Sequence, residues 1–105
     1  VIDAGKEDAM ELFIFARFHA RAGAEAALAD TLRKQVPFVR RESGCLMIDA
    51  YRSTRDPRLF YIHSRWADAA AFEAHAVLPN TVEFISRVES LIDHPLDVTR
   101  SRPLG

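Results

Sequence analysis

Cysteine is nearly missing from this chain. Cys45 is the only one, which excludes an intrachain disulfide and any multi-cysteine metal or cluster site. Cysteine usage this sparse points toward a reducing compartment, the cytoplasm. Among Gly44, Leu46 and Met47 the thiol reads as buried and inert, although Arg40 and Arg41 are close enough in sequence to favour a thiolate. An excess of one charge sign is missing too: 14 Lys and Arg against 15 Asp and Glu give a net charge of −1. Without a basic surplus to neutralise phosphates, nucleic acid and anionic membrane surfaces are poor partners. No apolar run approaches the ~20 residues of a membrane span, and no signal-peptide pattern is visible. The sequence contains no Gly-rich phosphate loop, nucleophile elbow or triad spacing. It has no internal repeat or low-complexity segment.

What is present is a normal globular core in a short chain. The 105 residues suffice for one domain, and 49% of them are apolar. Residues 1–9, with Asp3, Gly5, Lys6, Glu7 and Asp8, read as a loose tail, and 10–105 as the single domain. Met10 to Ala20 reads as a strand with Phe13, Phe15, Arg17 and His19 on one side and Leu12, Ile14, Ala16 and Phe18 on the other. Both sides are largely apolar, so both need cover. A chain this short has helices for one face, which leaves the other for a second subunit. Ala24 to Glu42 has helical spacing, with Leu28, Leu32, Val36 and Val39 on one stripe. Pro37 within it predicts a kink or break near Val36, and Gly44 suits a left-handed C-cap. Cys45–Ser53 and Leu59–Trp66 read as a hairpin joined through Thr54-Arg55-Asp56-Pro57. Asp68 caps a short helix, Pro79 starts a longer one running to about Ile92, and Leu96 to Arg102 reads as a last strand. Strand, helix, strand, strand, helix, strand is the split βαβ, or ferredoxin-like, α+β order with an antiparallel sheet.

The segment from Phe60 to His75 holds the candidate chemistry. The only tryptophan, Trp66, ends a strand, and His75 lies on the next helix. Together they can furnish an aromatic wall and a group of the one type that titrates near neutral pH. Trp66 shares parity with Phe60, Ile62 and Ser64; if that side faces the helices, these residues line an apolar cavity with one hydroxyl. Phe72 and His75 share a helix face, so burial of one turns the other inward. Trp66 reads equally as a core residue closing the end of the sheet, and His75 as a satisfied surface histidine. His19 and His63 fall on neighbouring strands without a third ligand at persuasive spacing, so no metal site is expected. Tyr51 and Tyr61 read as strand residues buried with polar partners, and Arg17 and Arg65 as interface ion pairs.

The order of elements, the turn Arg21-Ala22-Gly23-Ala24-Glu25, Gly44-Cys45 after Glu42, Asp56-Pro57, and the run from Trp66-Ala67-Asp68 through His75 resemble the antibiotic biosynthesis monooxygenase family of dimeric α+β barrels. The resemblance spans Met10 to Arg102. It implies a homodimer and a small-molecule pocket. It also implies cofactor-free oxidation of a polyphenol or quinol by molecular oxygen, with Trp66 and His75 carried over by motif. Many members have a glutamate two positions before the tryptophan, where this chain has Ser64. Other members degrade haem and use a first-strand asparagine; the single asparagine here is Asn80. The expected activity is therefore a cofactor-independent monooxygenase or quinol oxidase. In that reading His75 is the base, and Trp66, Phe72, Ser64 and Ile62 hold the ring. A haem-binding or haem-degrading barrel and a non-enzymatic ligand-binding dimer are the alternatives.

Overall fold

A computed structural model of the chain describes residues 10–105; the expected loose tail over residues 1–9 lies outside the described residues. Strand β1 (Leu12–His19) leads into helix α1 (Glu25–Arg40), then β2 (Cys45–Arg52) and β3 (Leu59–Trp66). Helices α2 (Ala69–Ala76) and α3 (Pro79–Glu89) follow, and β4 (Asp97–Ser101) closes the chain. The sheet order is β2-β3-β1-β4, with every neighbouring pair antiparallel. This is the ferredoxin-like α+β arrangement, and β1 is central because it pairs on both edges.

Period-two alternation in β1 decides which face is covered. Leu12, Ile14, Ala16 and Phe18 are buried together with Leu28, Leu32, Val36 and Val39 of α1 and Val88 of α3. Each large side chain removed from water this way contributes about 2 kcal/mol. The opposite face stays open. Phe15 is 49% exposed there, Tyr51 51% and Tyr61 39%. The two tyrosines are thus not buried, because their parity puts them on the side away from the helices.

The expected break at Pro37 and the expected helix C-cap at Gly44 are corrected. Helix α1 runs unbroken through Pro37 to Arg40. The proline costs one bond to the carbonyl of Arg33, but Pro37 and Arg33 both lie on the exposed side, where water can take that acceptor. Gly44 does adopt the left-handed conformation, at φ +85°, but the helix is capped earlier, at Arg41. Gly44 instead turns the chain into β2, and its carbonyl accepts the amide of Ala67 at 2.8 Å. Asp68 caps α2 as expected, its Oδ1 accepting the amide of Ala71 at 2.8 Å. Among the described residues no helix is long and apolar enough to cross a membrane.

Candidate functional site

A cavity of about 100 Å³ lies between the helices and the covered face of the sheet. Ile62 and Ser64 of β3 contribute to its floor, Gln35 of α1, Phe72 and His75 of α2, and Thr81 of α3 to its walls. The rest of the lining is aliphatic or aromatic. Val98 of β4 also borders the cavity and is 41% exposed, so the mouth opens beside β4.

Why these side chains meet follows from the local fold. Asp68 fixes where α2 begins, and the three-residue spacing of Phe72 and His75 then turns both toward the sheet. The His75 ring lies 4.7 Å from the Trp66 indole, centroid to centroid, and the Phe72 ring 5.7 Å from it. Four of the expected site residues, Ile62, Ser64, Phe72 and His75, are on the cavity surface. Trp66 is not: it is completely buried behind the two α2 rings. Its indole N–H donates to Ser64 Oγ at 3.0 Å. That bond satisfies the buried indole and leaves the serine hydroxyl hydrogen free for the cavity.

His75 has a carboxylate partner that the sequence does not place there. Nδ1 sits 2.7 Å from Glu42 Oε1, with both side chains 14% exposed. An ionised carboxylate only accepts, so Nδ1 is the donor of this bond, and Nε2 has no hydrogen-bond partner among the described residues. Thr81 Oγ1 lies 3.4 Å from the same Nδ1. Glu42 follows the end of α1, thirty-three positions before His75. Although position 64 is a serine, a carboxylate reaches the histidine from a different segment.

Cys45 is close to this region. Burial first, and then the negative charge of Glu42, push its thiol up from the ordinary value, which keeps it protonated. Cys45 is only partly buried, not fully buried as expected, and the raised thiol supports the inert part of that reading. His19 and His63 do not converge: their ring nitrogens take separate partners, Asp93 and Asp56 for His19 and the carbonyl of Ile14 for His63. Among the described residues no three His, Cys, Asp or Glu side chains are grouped to hold a metal ion. Arg65 pairs with Glu11 at 3.5 Å within the same chain.

The sequence profile of antibiotic biosynthesis monooxygenases matches residues 12–87, most of the domain just described. The chain belongs to the antibiotic biosynthesis monooxygenase family. It is similar to a Mycobacterium tuberculosis protein named "Putative monooxygenase Rv0793", with 30% identity over 91 residues that cover 87% of this chain and 89% of that protein. The solved structure of Rv0793 superposes with a TM-score of 0.84 at 27% identity, covering 90% of this chain and 96% of that one. The structure of PA3566 from Pseudomonas aeruginosa gives the same TM-score, 0.84, at 30% identity, covering 93% of this chain and 98% of that one. Glu42, Thr81 and Gln35 are additions that sequence reading missed. A signal existed for Gln35, which falls on the apolar stripe of α1 between Leu32 and Val39.

Proposed function

We propose that this protein is a cofactor-independent monooxygenase or quinol oxidase acting on a small phenol or quinol. The observation that carries the reading is the Glu42–His75 pair set against an apolar cavity. Glu42 holds the imidazole by Nδ1, and Nε2 takes the proton of a bound phenolic hydroxyl. The phenolate is electron-rich enough to reduce oxygen itself. Two outcomes balance: quinol plus O₂ gives quinone plus H₂O₂, or hydroxyquinone plus water. The walls exclude bulk water, and Trp66 acts from behind by packing against His75 and Phe72. A haem is far larger than a cavity of about 100 Å³, which disfavours the haem reading. The same reading includes a homodimer formed through the open sheet face, where Phe15 is half exposed.

The test is oxygen uptake by purified, metal-stripped protein free of flavin and haem, supplied with hydroquinones. Wild type is expected to oxidise at least one above the buffer rate. His75→Ala should lower turnover by about 100-fold or more, the usual size of a general-base contribution. Glu42→Gln should lower kcat with little change in KM, as expected of a residue that positions the base rather than binds the ring. Full turnover by His75→Ala would defeat the proposal and leave passive ligand binding as the better reading.

A further inference from the structure

Buried polar atoms are almost always hydrogen-bonded, so an orphan calls for an explanation. Gln35 is 7% exposed, and its amide nitrogen has no hydrogen-bond partner. Two neighbouring polar groups of the cavity are partly engaged: His75 Nδ1 with Glu42, and Ser64 Oγ as acceptor from the indole of Trp66, its own hydrogen still unused. Gln35 therefore stands as a carboxamide in an apolar cavity wall with its donors unused. The same side chain also borders an outer groove between α1 and α3, and its nitrogen is shielded from both spaces, so neither water in the groove nor water in the cavity satisfies it without a rotation of the amide. Leaving a buried amide unpaired is destabilising, and a leucine or methionine on this stripe of α1 would avoid the cost. The terminal torsion of glutamine is broad and roughly two-fold, so the amide is free to rotate and turn its nitrogen toward the cavity that the side chain borders.

We propose that Gln35 is the specificity-determining residue of this site: its carboxamide donates a hydrogen bond to a hydroxyl or carbonyl oxygen carried by a single aromatic ring. The inference rests on the reading that the cavity takes a phenol or quinol, and it adds which group recognises the oxygen and how large the ring is. The volume sets an upper bound. A closed apolar cavity of roughly 150 Å³ accommodates benzene; at about 100 Å³ this one encloses at most a single ring, whose outer edge and substituent lie in the mouth beside Val98, and it leaves no room for a fused polycycle. A donor that loses its cost only when an acceptor arrives favours oxygenated rings over hydrocarbons of the same shape.

The experiment compares equilibrium binding of 1,4-hydroquinone and of p-xylene, its methyl counterpart, by calorimetry under anaerobic conditions so that no turnover intervenes. Gln35→Met, of similar length and without polar hydrogens, should bind hydroquinone about 10-fold more weakly than wild type, the size of one lost hydrogen bond in a dry site. Its affinity for p-xylene should stay within about twofold, since the apolar contacts remain. The unliganded variant should melt no lower than wild type, because an unpaired buried amide has been removed. Gln35→Leu repeats the comparison with a different shape. The proposal is overturned if hydroquinone affinity is unchanged, if p-xylene affinity falls by the same factor, or if the variants melt well below wild type, which would make Gln35 structural. Failure of wild type to bind either ring overturns this inference and the proposed substrate class together. Binding that ignores Gln35 while His75→Ala abolishes oxygen uptake overturns this inference alone.

Discussion

His19 sits where three segments meet. Its Nδ1 is 2.8 Å from Asp93 Oδ2 and its Nε2 is 3.0 Å from Asp56 Oδ2. Its backbone N–H donates to His94 Nε2 at 2.8 Å, and Arg58 reaches Asp93 at 3.0 Å. With a carboxylate on each ring nitrogen, the imidazolium is the form that fits. The hydrogen bond to Asp93, opposed by burial and helped by Asp56, holds His19 above its ordinary 6.5. Asp93 is held low mainly by His19, and Asp56 mainly by the backbone amide of Arg58. A raised histidine contributes stability that is fully present below its ordinary value and is lost as pH rises through the raised one. Lowered carboxylates contribute above their ordinary 3.8 and lose it as pH falls through the lowered values. The cluster is therefore most stabilising in mildly acidic solution. His19→Asn should lower Tm more at about pH 5.5 than at about pH 8.5, as thermal melts at the two values will show. An equal loss at both would mean that packing, not charge, holds His19 in place.

At the scale of the elements, two glycines with the same backbone sign behave differently. Gly23 and Gly44 have φ of +88° and +85°. A Cβ on Gly23 would meet open space, whereas one on Gly44 would collide with the side chain of Ala71 in α2. Gly23→Ala should thus cost only the left-handed strain, about 1 kcal/mol. Gly44→Ala adds the collision and should cost about 3 kcal/mol in all, a fall in Tm of roughly 12–24 °C for a domain of this size. Denaturant melts of the two variants isolate the collision by difference. Because α2 carries Phe72 and His75, Gly44→Ala should also weaken activity, while Gly23→Ala should not. Equal destabilisation by both would show that α2 yields to the added methyl. The positive φ at Gly44 was legible as a glycine after a helical stripe; its use as the seat of α2 was not, since Ala71 lies in a distant segment. Pro37 likewise reads as a kink or break from sequence, and only its placement on the wet side of the last turn explains why α1 continues without a break.

For the whole molecule, the open sheet face is the dominant feature. Pairing register sets Phe13 beside Arg65, Phe15 beside His63, and Tyr61 beside Tyr51. Phe15 stacks on His63 at 4.4 Å, and the Arg65 guanidinium lies 5.7 Å from the centre of the Phe13 ring. These contacts cover part of the apolar surface, but Phe15, Tyr51 and Tyr61 remain substantially exposed. Covering one such aromatic yields on the order of 2 kcal/mol, and a two-fold related copy would cover the set twice. Sedimentation at low micromolar concentration should find a dimer, and Phe15→Glu should shift it toward monomer. A wild type that sediments as a stable monomer would remove the homodimer from the reading.

The sequence by itself determined the order of elements, the two faces of β1, the α1 stripe and the start of α2. Each rests on periodicity or capping within a few residues, and that physics is local. It also brought Ile62, Ser64, Phe72 and His75 to one space, because strand parity and helix spacing fix which way a side chain turns. Only the tertiary structure decided that Trp66 stands behind the cavity and not on it, since Phe72 and His75 come between them once α2 docks. The fold alone brought Glu42 to His75, and it left the amide nitrogen of Gln35 buried without a partner. Contacts between segments thirty or more positions apart depend on how the chain returns on itself, and no local pattern encodes the last ångströms of that path.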